Sequence, residues 1–95
     1  MARGTDLREL AQGLALLSDA TRLSILRILA AGPRNVTALC KALGLKHPTV
    51  SRHLGLLRMG RLVAGKRKAK MVEYTTETAN MKALAAAIEG LIPKA

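Results

Sequence analysis

Residues 36–57, VTALCKALGLKHPTVSRHLGLL, hold the pattern from which the rest of the chain can be interpreted. Leu39 and Leu43 lie four residues apart, which places two apolar side chains on one face of a helix. Asn35 is a favoured residue for capping the start of that helix. Gly44 can adopt the positive φ of a tight turn. The segment therefore predicts a short helix from Val36 that ends at a turn.

A second helix is expected from about Pro48 to Met59. Proline suits the first helical turn because its missing N–H would have no partner inside the helix. Val50, Leu54 and Leu57 form the inward stripe of this helix. Two short helices that meet around a turn glycine are typical of a helix-turn-helix unit, here over residues 36–59. An ordinary helical hairpin in an all-α domain is the alternative.

The exposed N-terminal residues of the second helix are the candidates for contacting DNA bases. A helix-turn-helix places this part of its second helix in the major groove. Arg52 can form a bidentate pair with guanine, and hydroxyl side chains can reach base edges or phosphates. The candidate set is Lys46, His47, Thr49, Ser51 and Arg52.

Two short strands, Leu62–Gly65 and Met71–Thr75, are predicted to follow. The basic residues between them form a hairpin tip within a wing over residues 61–76. Such a ribbon would follow the phosphate backbone or enter the minor groove. The cations assigned to this role are Lys66, Arg67, Lys68 and Lys70. The alternative is a charged, solvated hairpin whose cations prevent an edge strand from pairing with another chain.

The charge distribution supports a polyanionic partner. The chain has 16 basic and 6 acidic residues, a net charge of +10, and no Asp or Glu between Asp19 and Glu73. A region of one sign, flanked by ends of mixed charge, is typical of a surface that faces nucleic acid. A basic surface kept for solubility is the alternative.

The two ends are predicted to be amphipathic helices over about residues 5–17 and 78–92, with Thr76 or Thr78 capping the last one. Their apolar stripes would form a dimer interface with a partner subunit or, as the alternative, pack within the chain; they consist of Leu7, Leu10, Leu14, Met81, Leu84, Ile88 and Leu91. Between them, Ser18 or Asp19 caps another helix, whose stripe includes Leu23, Leu26 and Leu29 and which ends near Gly32.

These elements predict one domain, residues 1–95, that is mainly α with a small β-hairpin, in the order α-α-α-α-β-β-α. One cysteine excludes an intramolecular disulfide and fits a reducing cytosol. The charged N-terminus and the short apolar runs predict a cytoplasmic protein with no membrane contact. No constellation of catalytic residues is present, so an enzyme is not expected.

Three segments resemble the ArsR/SmtB family of winged helix-turn-helix regulators. Residues 16–26, LLSDATRLSIL, are similar to the family's opening motif. Residues 49–54, TVSRHL, with Leu57 and Arg58, resemble its recognition helix, and residues 60–63, GRLV, with Tyr74 resemble its wing. The resemblance implies a homodimer formed through the first and last helices. It also implies repression at a palindromic operator, relieved when an inducer binds.

The resemblance raises the question of a metal site, because many family members sense metal ions. Asn35 and Thr37 occupy the positions of the family's cysteines at the start of the third helix. Only Glu77 matches the site on the last helix, and no histidine follows His53. These residues cannot build a tetrahedral metal site, so no metal or cofactor is predicted. Cys40 is interpreted as a packing residue and His53 as a structural one.

The sequence therefore predicts a dimeric regulator, most simply a repressor, that binds double-stranded DNA. An architectural protein that binds DNA without sequence preference, or a winged module that binds an acidic protein, would share the basic surface. The operator, the regulated genes, the inducer and the choice between repression and activation are left open.

Overall fold

The computed structural model describes residues 6–94. Its elements, in chain order, are α1 (Leu7–Leu17), α2 (Ala20–Leu29), β1 (Arg34–Asn35), α3 (Val36–Leu43), α4 (His47–Met59), β2 (Val63–Lys68), β3 (Met71–Thr76) and α5 (Thr78–Glu89). The predicted class, mainly α with a β-hairpin, is confirmed. Thr5, the expected start of the first helix, lies outside the described residues.

The structure adds one strand to the predicted order. β1 pairs antiparallel with β3, with Arg34 opposite Tyr74 and Asn35 opposite Glu73, so the sheet order is β1-β3-β2. Two residues are too short to show the alternation by which a strand is recognised in a sequence. β1 exists because the chain enters α3 beside β3, which only the tertiary fold determines.

The helix starts agree with the predicted caps, except at α5. The Asp19 carboxylate accepts a hydrogen bond from the Arg22 N–H at 3.0 Å, and Asn35 Oδ1 accepts one from the Ala38 N–H at 2.8 Å. α5 follows Glu77, whose side chain makes no capping bond, so the prediction that Thr76 or Thr78 caps this helix was wrong. The Glu77 N–H instead donates to the Leu62 carbonyl at 2.9 Å, which ties α5 to the wing.

The core lies between α2, α3, α4 and the base of the hairpin. Its fully buried side chains are Ile25, Leu39, Val50, Leu54, Leu57 and Val63. Cys40 is half-buried and packs against this cluster, whereas Leu23, predicted to share the inward stripe of α2, is 49% exposed. Within residues 6–94, none of the helices combines the length and hydrophobicity that crossing a bilayer requires.

Arg22 joins three helices through its guanidinium group. Nε donates to the Leu16 carbonyl at 2.6 Å and Nη2 to the Ala15 carbonyl at 3.4 Å, both at the end of α1. Nη1 lies 3.2 Å from Nδ1 of His53, which is 7% exposed in the middle of α4. A guanidinium can only donate, so His53 Nδ1 accepts and its ring proton lies on Nε2. This contact supports the structural interpretation of His53.

Asp19 completes this cluster. The Arg22 backbone N–H and the positive charge of its guanidinium lower the pKa of the Asp19 carboxyl below its usual value. The carboxylate also lies 3.9 Å from His53 Nδ1. Asp19 is therefore ionised at neutral pH, where it caps α2 beside the positive end of the helix dipole.

A pair of glycine substitutions tests the turn of the helix-turn-helix. Gly44 has a φ of +67°, and a Cβ at Gly44 or at Gly55 would meet no atom within 4 Å. Gly44→Ala is expected to lower the free energy of unfolding by about 1 kcal/mol because of backbone strain alone. Gly55→Ala, inside α4, is expected to raise it by up to about 1 kcal/mol. Urea denaturation measures both, and shifts of the same sign would contradict this account.

Replacing Arg22 tests the link between α1, α2 and α4. Arg22→Lys keeps the charge but cannot reproduce the fork that reaches α1 and His53 at once. We expect the free energy of unfolding to fall by about 1–3 kcal/mol, because half-buried acceptors lose their donors. Arg27→Lys, on the exposed side of α2, is the matched control and should change it by less than about 0.5 kcal/mol. Equal stability of the two variants would exclude this role for Arg22.

Candidate nucleic-acid interface

The N-terminal half of α4 carries the candidate base-contacting residues. α4 begins at His47, one residue before the predicted start, with Pro48 in the first turn. Lys46 is its N-cap residue and makes no side-chain capping bond. Pro48 has no N–H, and the Thr49 and Val50 N–H groups donate to the Lys46 carbonyl, so the positive end of the helix dipole and the His47 N–H are what this helix start offers to a phosphate.

The five candidates differ in exposure. Lys46, His47 and Arg52 are exposed, whereas Thr49 and Ser51 are half-buried. Ser51 Oγ lies 3.4 Å from His47 Nδ1, so these two side chains lie together on one face of α4. Arg52 makes no hydrogen bond or ion pair to any residue that the structure describes, which leaves its guanidinium available.

The hairpin is longer than predicted, and its turn is shorter. β2 continues to Lys68, so only Ala69 and Lys70 form the turn, and Ala69 has a φ of +56°. Three of the four predicted tip cations therefore lie on a strand. The prediction of a five-residue tip over residues 66–70 was wrong, because basic side chains do not prevent strand pairing when the partner strand provides the hydrogen bonds.

Strand register distributes these cations over two faces of the hairpin. Lys66 lies opposite Glu73 and Lys68 opposite Met71, so both lysines are on one face. Arg67 lies opposite Val72 on the other face, the one whose Val63 is buried in the core. Lys68 Nζ is 3.6 Å from a Glu73 carboxylate oxygen, which offsets part of the charge of the first face. Lys66, Arg67 and Lys70 are the wing cations with no ion pair among the described residues.

The predicted dimer residues fall into two groups. The first group presents apolar surface to solvent. It consists of Leu7, at 68% exposed, and Leu14 on α1, Ile88 on α5, and Leu91 after α5. By contrast, Leu10 is 5% exposed, and Met81 and Leu84 pack against the core of their own protomer.

Close packing of α1 on α5 explains the buried group. A Cβ at Gly13 of α1 would lie 2.9 Å from Leu84 Cδ1, so a larger residue would require the Leu84 side chain to shift. Leu84 therefore packs between α1 and the core of its own protomer, and Leu10 is buried on α1. Leu91 lies beyond α5, which ends at Glu89.

The donors at the family's metal positions do not fit a metal ion. The Asn35 side chain is engaged as the cap of α3, and Thr37 offers a hydroxyl where a thiolate would be needed. Among residues 6–94, no three His, Cys, Asp or Glu side chains lie close enough to form a metal site.

Sequence reasoning missed several residues of this surface. The neighbours of Arg22, Thr21 and Leu23, do not distinguish it from a surface cation, so its hydrogen bonds to α1 and His53 had no signal in the sequence. Leu56 and the 84% exposed Met59, on the outer side of α4, were not predicted to be surface residues. Ile92, next to Leu91, is as exposed as its neighbour.

Two curated proteins are similar to part of the chain. KmtR, a helix-turn-helix transcriptional regulator of Mycobacterium tuberculosis, is 38% identical over 69 residues, which cover 73% of this chain and 53% of KmtR. The arsenical resistance operon repressor of Escherichia coli is 42% identical over 60 residues, or 62% of this chain and 51% of the repressor. The chain thus spans about half the length of these relatives.

The fold is similar to that of a solved domain over nearly its whole length. The domain is the homodimeric winged helix-turn-helix DNA-binding domain of Mb0332 from Mycobacterium bovis, a possible ArsR-family transcriptional regulator. The TM-score is 0.76 at 30% identity, and the match covers 96% of this chain and 89% of that domain. In addition, a family model described as a helix-turn-helix domain matches residues 17–65. The chain therefore belongs to the helix-turn-helix family, and its wing and its relatives identify it as a winged member of the ArsR type.

Proposed function

We propose that this protein is a dimeric transcriptional repressor that binds a specific palindromic DNA site. The observation that carries the proposal is the exposed Arg52 on α4, which has no ion pair with any described residue and lies in a stretch of 53 residues between Asp19 and Glu73 that contains no acidic residue. The similarity to a repressor of Escherichia coli supports the direction of regulation.

The shape of α4 supports direct contact with bases. Arg52 and Gly55 lie three residues apart, on neighbouring positions of the exposed face. Space around Gly55 is open to a distance of 4 Å, so no side chain beside Arg52 keeps the helix away from a DNA groove. A guanidinium in this position can pair with O6 and N7 of guanine.

The wing supplies contacts that do not depend on sequence. Arg67 and Lys70 can bind phosphates directly, whereas Lys68 must first leave Glu73. We therefore expect Arg67 and Lys70 to contribute more to affinity than Lys68. Lys46 and the N-terminus of α4 would anchor a further phosphate.

The shape of the protomer supports a dimer. Its radius of gyration is 14.5 Å, compared with about 12–13 Å for a compact chain of this length. The exposed apolar side chains of α1 and of the end of the chain would be covered by a second copy. The interface would consist of Leu7, Leu14, Ile88, Leu91 and Ile92, while Leu10, Met81 and Leu84 support it from within. The similar domain of Mb0332 is homodimeric.

The donor set at the family's metal positions favours regulation without a metal ion. Neither Asn35 with Thr37 nor Glu77 alone can compete with water for a soft metal ion. Signalling through another ligand, or through protein concentration alone, is consistent with these residues.

Arg52 and Arg67 provide a matched pair for testing base readout. Arg52→Ala should weaken binding to a selected operator by about 1–3 kcal/mol and much less to random duplex, because a guanine contact is lost. Arg67→Ala should weaken both equally and reduce the slope of log K against log salt concentration by about 0.9. Fluorescence anisotropy over a salt series measures both quantities, after operator selection from random duplexes.

Three outcomes would contradict the proposal in different ways. Equal losses on both duplexes for Arg52→Ala would remove its role in specificity. A selection that enriches no motif would favour a non-specific architectural protein. No binding to any duplex at low salt would favour a module that recognises an acidic protein.

Ile88 and Leu23 provide a matched pair for testing the dimer, since both are partly exposed apolar residues on helices. Ile88→Glu should convert the dimer to a monomer because it places a charge in the apolar interface. Leu23→Glu, outside the proposed interface, should leave the dimer intact. Sedimentation equilibrium measures the mass, and a dimer that persists in Ile88→Glu would exclude this interface.

A further inference from the structure

A cavity of about 540 Å³ lies between the second half of α2, the end of β3 and the start of α5. Leu26, Leu29, Met81 and Ala85 provide much of its lining, so the wall is mainly apolar. This volume is within the range of about 300–1,000 Å³ that small-molecule sites occupy. The candidate DNA-contacting residues lie elsewhere, on α4 and on β2 with its turn.

One polar group in the wall lacks a partner. Thr76 lines the cavity, and its Oγ1 is buried without a hydrogen-bond partner in the described part of the chain. A buried hydroxyl with no partner is unfavourable, and native proteins rarely keep one without a reason. Thr75 and Thr78 also belong to the lining, although the Thr75 side chain lies on the opposite face of β3 from that of Thr76.

A positive charge lies at the rim. Lys82 belongs to the lining, one turn after the start of α5, and it has no ion pair among the residues described. The helix start beside it has no side-chain cap, so its free N–H groups and the helix dipole also favour an anion. An apolar wall, hydroxyl groups and a cation at one side together suit an amphipathic anion.

We propose that this cavity binds a small carboxylic acid with an aliphatic tail, the carboxylate lying near Lys82 and the Thr76 hydroxyl. A medium-chain acid such as octanoate, with seven tail carbons and the carboxylate, is small enough for the cavity of about 540 Å³. Thr76 would donate its free hydroxyl proton to the carboxylate, and the tail would lie against Leu26, Leu29 and Met81.

The position of the cavity suggests that the ligand would regulate DNA binding. This regulatory role rests on the proposed DNA-binding function. Two hydrogen bonds tie the start of α5 to the base of the wing: Glu77 N–H to the Leu62 carbonyl at 2.9 Å, and Asn80 Nδ2 to the Arg61 carbonyl at 2.8 Å. A ligand that moves α5 against α2 would therefore also move the wing relative to α4. Such a ligand changes DNA affinity if it binds the free and DNA-bound arrangements unequally.

The test begins with the protein alone. Octanoate is titrated into the ¹⁵N-labelled full chain, with octan-1-ol and octylamine as probes of the same tail length. Octanoate should shift the amide signals of cavity residues with a Kd below about 1 mM, and the two controls should bind more weakly because they lack the negative charge.

Four variants locate the site. Lys82→Gln should weaken octanoate binding by about twofold to fivefold, as expected for a partly exposed ion pair. Ala85→Leu should weaken binding because its larger side chain takes up part of the cavity where the tail would lie. Thr76→Val should weaken binding and raise the melting temperature of the free protein, because the unpaired hydroxyl is removed. Lys94→Gln, away from the cavity, should change neither.

The outcomes separate the ligand from the function. Binding of octan-1-ol or octylamine as tightly as octanoate would overturn the carboxylate assignment. The absence of shifts at cavity residues would overturn the site. Octanoate should also weaken operator binding by at least about fivefold. If octanoate binds but the operator Kd is unchanged, only the regulatory role is overturned. If the protein binds no DNA, the proposed function is overturned, and the octanoate titration still decides whether the ligand site exists.

Discussion

Arg22 donates hydrogen bonds to two carbonyl groups at the end of α1 and to the buried His53 of α4, while its own backbone N–H is capped by Asp19. These contacts join the outer helix α1 to the helix that carries the candidate base-reading residues. If they were absent, half-buried acceptors at the end of α1 and on His53 would lose their donor. Apolar contacts are not directional, so these hydrogen bonds add a directional constraint to the packing that orients α4.

The distribution of charge depends on that orientation. The acid-free part of the sequence folds so that α4 and the hairpin follow one another through a short connection at Gly60–Leu62. Arg52 on α4 and Arg67 on β2 are then both exposed and have no ion pair within residues 6–94. A lysine on the same hairpin, Lys68, is partly neutralised by Glu73 across the strands. The net charge therefore overstates the number of cations available to a polyanion.

The two end helices serve two purposes that the sequence pattern does not separate. One side of each helix closes the protomer, through Leu10 and Leu84 where Gly13 allows close approach. The other side leaves Leu7, Leu14 and Ile88 in solvent, where a second copy would cover them. Between α5, α2 and the end of β3, the packing is incomplete and leaves the cavity that contains the unpaired Thr76 hydroxyl. The same helix thus belongs to the proposed dimer interface and to the proposed ligand site.

Much of the fold follows from the sequence because its signals are local. Asp19 and Asn35 begin helices by bonding to N–H groups three residues ahead, and Gly44 ends one by adopting a positive φ. The inward stripe of Val50, Leu54 and Leu57 follows from helical periodicity alone. These features need no knowledge of distant residues, and the helix-turn-helix and the wing were predicted from them.

The tertiary structure alone decided the remaining features. β1, the extension of β2 to Lys68 and the split of the wing cations depend on strand register, which is set by pairing with β3. The burial of Leu10 and the exposure of Leu23 depend on which neighbouring helix covers each face. The contact between Arg22 and His53 joins residues 31 positions apart, and the cavity at Thr76 is bounded by three separate elements. A repeating pattern reports which face of an element is apolar, but only packing in three dimensions determines what lies against that face.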